Sequence, residues 1–362
     1  MSRHLFYSAV LLVLVMMCCG SGGAAEGPEQ PSDPNYKWKE IKDEGETVES
    51  LGAPGLLNLG SDVFAVAEAQ CKKNSENSGF TGIASQLLTE KKHNTPVEIM
   101  NGAKKDTQVL EEDASTSKKV DVSRPTAVVK GNDIYMLVGK YSQTDATGEN
   151  RGADDWGILL VRGEVGGEEN NKKIEWKNTE IFPRGIDTRP DSWTKLIGSG
   201  GSGVKMNDDT LVFPVEGTKK ENKDGDAPND GKTVSLLIYS SEDTNSWTLS
   251  KGMSEGGCSD PSVVEWEKDK KLMMMTACDD GRRRVYESGD KGESWTEALG
   301  ALSRVWGNKQ GEGAKGVRSG FITATIGDDE DKRNVMLVTL PVYPKRLIKK
   351  KRAMERENSI FG

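Results

Sequence analysis

The sequence predicts an all-β protein, a radial array of small sheets, and three features carry that expectation. Its 362 residues include 41 glycines, which favour many tight turns over long helices. One pattern recurs along the middle of the chain: an apolar strand, a turn of Gly, Asn, Asp or Lys, and a second apolar strand. One copy runs on into an eight-residue turn motif of the kind that staples repeated sheets together.

The copies are Leu56–Ala67 around Gly60, Thr126–Val138 around Gly131–Asp133, Gly203–Val215 around Asn207–Asp209, Ser262–Met275 around Lys268–Lys271, and Phe321–Thr339 around Asp328–Asp331. Their spacing is uneven and longer than the about 40–50 residues of common propeller repeats. Strand-like Ile158–Arg162, Leu236–Ser240 and Arg284–Glu287 follow three of the hairpins and read as outer strands, so each copy is the middle of a four-stranded unit. Met273–Met275 reads as core strand. Gly198–Gly203 lacks the Lys-Ser/Thr ending of a phosphate loop and reads as a turn.

The motif Ser288-Gly-Asp290-Lys-Gly292-Glu-Ser294-Trp295 fits S-x-D-x-G-x-[S/T]-W completely. Asp accepts hydrogen bonds from its own turn, Gly supplies a positive φ, and Trp plugs the space between strands. A structural role is therefore expected for all five residues. The frame at Ser240–Trp247 keeps its ends but has Glu242 and Thr244 at the Asp and Gly positions, a decayed copy.

Composition excludes several functions. Asp plus Glu outnumber Lys plus Arg by 57 to 49, a formal charge of −8, so no nucleic-acid partner is expected. The only histidines are His4 and His93, which rules out zinc sites built on paired histidines. The five cysteines contain no C-x-x-C pair. No metal and no cofactor are expected.

Arg3 and His4 precede the apolar run Ala9–Cys19, and small residues follow, so residues 1–25 read as a secretory signal peptide. The run is about half the ~20 residues of a membrane helix, and no transmembrane helix is expected. Its removal would leave Cys71, Cys258 and Cys278. Cys258 and Cys278 flank a hairpin and are candidates to pair; three free thiols are the equal alternative. Residues 26–49, rich in Pro, Glu, Asp and Lys, read as a solvated linker, 50–341 as the repeat domain, and 342–362 as a basic solvated tail. The tail carries no apolar lipid-anchor signal, and a secreted or cell-surface monomer is the expectation.

The Ser288–Trp295 box, with Gly257–Pro261, Gly281–Ser288, Leu302–Gly307 and Ala153–Leu160, resembles the trypanosomal trans-sialidase and sialidase-like surface protein family from Glu49 to Leu340. That resemblance implies a sialidase-type β-propeller, six-bladed in the family, here with about five blades and with the last blade and the lectin-like domain missing. It also implies a site in which an arginine triad binds the sialic acid carboxylate. A tyrosine activated by a glutamate is the nucleophile and an aspartate the acid/base.

Carried over residue by residue, that site is degenerate. The first arginine, in an F-R-I-P motif, falls on Gly52 of Leu51–Pro54, and the second on Ala277. The activating glutamate, in C-S-E-P, falls on Asp260, the only residual catalytic candidate. The acid/base loop matches Lys72–Phe80, where Glu76 is the nearest carboxylate. The third arginine and the tyrosine follow Leu340 in relatives, and Tyr343 stands too early to be that tyrosine.

The resemblance therefore implies a non-catalytic relative that binds host sialylated or galactosylated glycoconjugates; the alternative is an exo-α-sialidase or trans-sialidase. Trp156, Trp193 and Trp306 are candidates to stack on sugars, with buried packing the commoner role for such residues. Arg282–Arg284 reads as a solvated strand edge.

Overall fold

A strand with apolar residues at alternate positions buries one face; a strand in which neighbours are both apolar must bury two. Leu272–Met275 and Ile134–Val138 are of the second kind, and every one of those side chains is buried. The computed structural model describes residues 36–41, 45–73, 79–88, 98–100, 102–112, 118–141, 156–168, 171–182, 193–221, 229–266, 270–300, 302–307, 319–328 and 331–340.

The strands are β1 (Tyr36–Glu40), β2 (Glu46–Leu59), β3 (Asp62–Lys73), β4 (Gly79–Leu87), β5 (Thr107–Glu112), β6 (Lys118–Lys130), β7 (Asp133–Tyr141), β8 (Trp156–Gly166) and β9 (Lys173–Phe182). They continue as β10 (Trp193–Gly198), β11 (Gly201–Ser202), β12 (Val204–Lys205), β13 (Leu211–Glu221), β14 (Asn229–Ser240) and β15 (Trp247–Leu249). The last are β16 (Cys258–Trp266), β17 (Lys271–Cys278), β18 (Arg283–Ser288), β19 (Thr296–Glu297), β20 (Gly320–Ile326) and β21 (Arg333–Thr339). Among the described residues the one helical turn is Ala103–Asp106, and no helix is long and apolar enough to cross a membrane.

Among the described residues pairing forms four sheets: a ten-stranded sheet of β1 to β9 with β11, a five-stranded sheet of β10 and β12 to β15, the four strands β16 to β19, and the hairpin β20–β21. The ten-stranded sheet runs on from β5 to β6, and its halves, β2 to β5 and β6 to β9, pack their faces together in one core layer, so the strands make five units. In the third unit β10 and β12 lie one after the other along β13 and together make a broken inner strand. Between them the chain leaves its own sheet as β11, which pairs in parallel with Thr126 and Ala127 of β6. All five expected hairpins are present, as β2–β3, β6–β7, β12–β13, β16–β17 and β20–β21. The expected outer strands are β8, β14 and β18. This is the β-propeller architecture the sequence predicts.

The core is a series of layers between successive units. Ile134, Met136 and Val138 of β7 pack with Phe64, Leu159 and Trp176, whereas Tyr135 and Leu137 face the next layer with Phe213 and Leu236. Met274 packs with Val212 and Leu237, and its neighbours Met273 and Met275 with Phe321 and Val285. At the start of the array the outer face of β3 carries Ala65, Ala67, Ala69 and Cys71, covered by Ile41 and Met100.

One expectation is changed and one open alternative is decided. Part of the stretch read as a linker is strand: β1 pairs with β5, Tyr36 is buried, and the Trp38 indole lies tilted against Trp176, 6.4 Å between ring centres, and donates to Thr179 Oγ1 at 2.9 Å. Alternation of Tyr36 and Trp38 with Lys37 and Lys39 is the strand signal, and it is too short to stand out against a charged background. The cysteine question is settled as well. Cys258 and Cys278, opposite one another on β16 and β17, form a disulfide, and Cys71 is a buried free thiol. Residues 1–25 and 342–362 lie outside the described residues.

Burial pushes the Cys71 thiol up to about 12, so it is neither exposed nor ionised at neutral pH. Of Cys71, Cys258 and Cys278, none is expected to react with iodoacetamide in the native protein and only Cys71 after denaturation without reductant, as peptide mass spectrometry would show. Replacing Cys258 and Cys278 with Ser is expected to cost about 2–4 kcal/mol in denaturant unfolding.

Candidate functional site

Three inner strands carry the same irregularity. Ala53–Pro54 in β2, Arg124–Pro125 in β6 and Asp260–Pro261 in β16 each interrupt the ladder register, two residues standing where the partner strand has one. Proline has no N–H to give to a ladder and is tolerated at such a bulge. The residue before it has a positive φ each time: 45° at Ala53, 51° at Arg124 and 55° at Asp260. Non-glycine residues rarely adopt that conformation, and such outliers cluster at functional sites.

Two of these bulges are held by a side chain of a neighbouring unit. The Arg124 N–H donates to Glu68 Oε2 of β3 at 2.8 Å, and the Asp260 N–H to Glu216 Oε1 of β13 at 2.8 Å. At two other junctions a hydroxyl that follows a bulge accepts a backbone N–H of the next unit. Thr126 Oγ1 accepts from the Gly200 N–H at 2.8 Å, and Ser262 Oγ accepts from the Phe321 N–H at 3.1 Å.

Charge runs through the same residues. Arg124 Nη1 donates to Glu216 Oε2 at 2.6 Å, and Arg283 Nη1 lies 3.6 Å from Asp260 Oδ2 while donating to Ser319 Oγ at 2.5 Å. Glu68, Arg124, Glu216, Asp260 and Arg283 thus form one connected chain across four units, with ion pairs at Arg124–Glu216 and Arg283–Asp260 and backbone N–H groups as the other links. Its members differ in exposure: the Arg124 and Asp260 side chains are 27% and 20% exposed, those of Glu216 and Arg283 11% and 4%.

Gly52 immediately precedes the first bulge residue, and a Cβ built on it meets nothing within 4 Å. Ala277 stands in the ladder between Ser259 and Arg283, so a single row across β16, β17 and β18 brings together Ala277, Arg283 and the strand bearing Asp260. Arg283 corrects the expectation of a solvated edge, because the β18 strand turns it inward and Asp260 compensates its charge. Arg284 is half-buried and bonded to Glu255 and Asp280. Trp193 is buried in the second core layer and Trp306 packs against the last one, with Met275 and Phe321, whereas the side chain of Trp156, Glu76 and Tyr343 all lie outside the described residues. Sequence reasoning missed Arg124 and Glu216. A signal for Arg124 existed: Pro54 and Pro125 stand at the same distance before their turn glycines, Gly60 and Gly131.

The Ser288–Trp295 box closes on itself. Asp290 Oδ1 accepts from the Ser294 N–H at 2.9 Å and Oδ2 from Ser294 Oγ at 2.6 Å, and Ser288 Oγ accepts from the Gly292 N–H at 2.8 Å. Gly292 has φ 86°, and Trp295 packs against the core between the third and fourth units. In the Ser240–Trp247 frame the same turn is rebuilt one residue later. Ser241 and Asp243 bond each other at 2.5 Å, Asp243 accepts from the Asn245 N–H, and Thr244 takes φ 61° in place of glycine.

A five-unit propeller with a charged, bulged inner rim defines the class of protein, and comparison with known proteins agrees. The family described as BNR repeat-like domain matches residues 53–359, so the chain belongs to it. A sialidase of Trypanosoma cruzi is 32% identical over 289 residues, 77% of this chain and 22% of that protein. Sialidase 85-1.1 of the same organism is 31% identical over 310 residues, 82% of this chain and 39% of its own length. The solved Trypanosoma rangeli sialidase in complex with the inhibitor DANA superimposes with a TM-score of 0.60 at 28% identity, covering 86% of this chain and 50% of that one. The chain is a member of the trypanosomal sialidase-like family and spans half or less of the length of these relatives.

Three measurements follow from this geometry. Gly52→Arg, whose Cβ would meet nothing within 4 Å, is expected to change stability by no more than about 0.5 kcal/mol in urea. Gly55→Ala, whose Cβ would stand 2.8 Å from the Gly201 carbonyl oxygen, is expected to cost about 1–3 kcal/mol. The Ser294 hydroxyl and N–H, followed by Ser288, hold the Asp290 carboxyl down from 3.8 to about 2. Its folded pKa is depressed, so its stabilisation is present above 3.8 and lost as the pH falls through 2. Asp290→Asn is accordingly expected to lower Tm at pH 6, with the difference from wild type shrinking between pH 4 and pH 2.

Proposed function

We propose that this chain is a secreted or surface-held sialidase-like protein that binds glycans without turning them over, its partners being host sialylated or galactosylated glycoconjugates. The observation that carries the reading is the row Ser259, Ala277, Arg283 beside Asp260, together with Gly52. Glycine and alanine stand where the family resemblance puts two guanidinium groups. An arginine fork gives a carboxylate paired, charge-assisted hydrogen bonds, and two such groups are a large part of what a sialic acid site needs. The carboxylate that remains, Asp260, is turned toward Arg283, and its backbone is pinned by Glu216.

The scaffold also supports a sugar-facing role. Trypanosoma rangeli sialidase, which is 27% identical and superimposes with a TM-score of 0.58, has been solved in complex with sialic acid. The signal-peptide reading of residues 1–25 supports export, and detection of the protein in the culture medium would test it.

Purified full-length protein, shown to be folded by circular dichroism, is expected to release and transfer no more sialic acid from sialyllactose than a buffer control. It is expected to be retained on a sialylated or galactose-terminated glycan surface. Turnover that disappears in Asp260→Ala would overturn the non-catalytic reading, and a folded protein retained on neither surface would overturn the binding reading.

A further inference from the structure

The guanidinium groups of the inner rim already have carboxylates of this chain on them. Arg124 Nη1 is bonded to Glu216 Oε2 at 2.6 Å, and Arg283 Nη1 faces Asp260 Oδ2 at 3.6 Å. Glu216 also takes the Asp260 N–H on its other oxygen, at 2.8 Å, so one side chain bridges an arginine and a bulge. Glu68 brings a third carboxylate to the Arg124 backbone at 2.8 Å. Two carboxylates thus meet two guanidinium groups, with a third on the Arg124 backbone, in a rim whose outward groups, Arg124 and Asp260, still reach solvent.

We propose that Glu216 and Asp260 are internal counter-anions that occupy the arginine positions of the rim, so that the site accepts neutral, hydroxyl-bearing sugars and refuses sugars that carry a carboxylate. The proposal rests on the glycan-binding reading and, of its two ligand classes, selects neutral galactose-type sugars over sialylated ones. A ligand carboxylate can reach Arg124 or Arg283 only by displacing an acid already attached to the same chain. The internal acid loses no translational freedom in binding, whereas the ligand does. The incoming charge would also stand among carboxylates in a half-buried place where screening is weak. A neutral sugar meets neither obstacle, because its hydroxyls can donate to Asp260 or Glu68 and accept from Arg124 without breaking an ion pair.

Glu216→Gln is the informative variant. It keeps an amide oxygen for the Asp260 N–H and removes the charge opposite Arg124. Asp260→Asn does the same opposite Arg283 and serves if Glu216→Gln does not fold. The full chain would be titrated with N-acetylneuraminic acid and with its methyl ester, the same sugar with the carboxylate masked. Wild type is expected to bind the ester at least as tightly as the acid. Each variant is expected to gain about tenfold or more for the acid alone, the gain shrinking as salt is raised and vanishing in Arg124→Ala/Glu216→Gln. Wild type that prefers the acid tenfold, or folded variants with no gain, would overturn the proposal.

Acetate separates this outcome from failure of the glycan reading. If no sugar binds any form of the protein, acetate is still expected to raise the Tm of Glu216→Gln and not that of wild type. The same acetate response in both would overturn the counter-anion role itself.

Discussion

The structure depends on the inner sheets being buried on both faces; the last hairpin, β20–β21, buries Phe321 on one face and exposes Ile322, Ile326 and Leu337. Met274 and Met275 are neighbours in one strand, yet they fill different layers, one shared with the third unit and one with the fifth. Removing either side of a unit would expose half of its apolar residues to water. No sheet is a stable object alone, and the repeats hold one another in place by stacking. This explains why consecutive apolar runs such as Leu272–Met275 and Leu211–Val215 coexist with a chain that is 29% charged overall: the charge is concentrated at turns and rims.

Stacking brings the inner strands together, and their backbone groups must then be satisfied across unit boundaries. The bulges answer part of that demand. At a bulge the ladder is broken, so a freed N–H looks outward, and a carboxylate of the adjoining unit, Glu68 or Glu216, accepts it. At two further junctions Thr126 and Ser262, each two residues past a bulge residue, accept the Gly200 and Phe321 N–H groups of the next unit. The charged rim is thus first a way of joining units. Its chemistry toward ligands follows from which side chains the joints happen to use.

Much of this was legible in the sequence, for a local reason. A hairpin is decided by residues within about ten positions of one another, through strand periodicity and turn chemistry, and all five were read in their places. The box at Ser288–Trp295 is local as well. Its copy at Ser240–Trp247 shows the limit of matching by frame, since Glu242 holds the Asp position but Asp243 makes the turn's hydrogen bonds, with Thr244 in the left-handed conformation. Strand β1 was missed because its partner, β5, lies about seventy residues away and lends it no local signature.

The sequence by itself determined the fold class, the family resemblance and the absence of arginine at Gly52 and Ala277, because each depends on which residue stands at which place in a local pattern. Only the tertiary structure decided that Arg283 turns inward to Asp260, that Glu216 joins Arg124 to the same network, and that Cys258 and Cys278 pair while Cys71 stays buried. Those are contacts between strands far apart in the chain or across a register that a single bulge resets. Ion pairing and burial depend on distance in space, which periodicity along the chain does not encode.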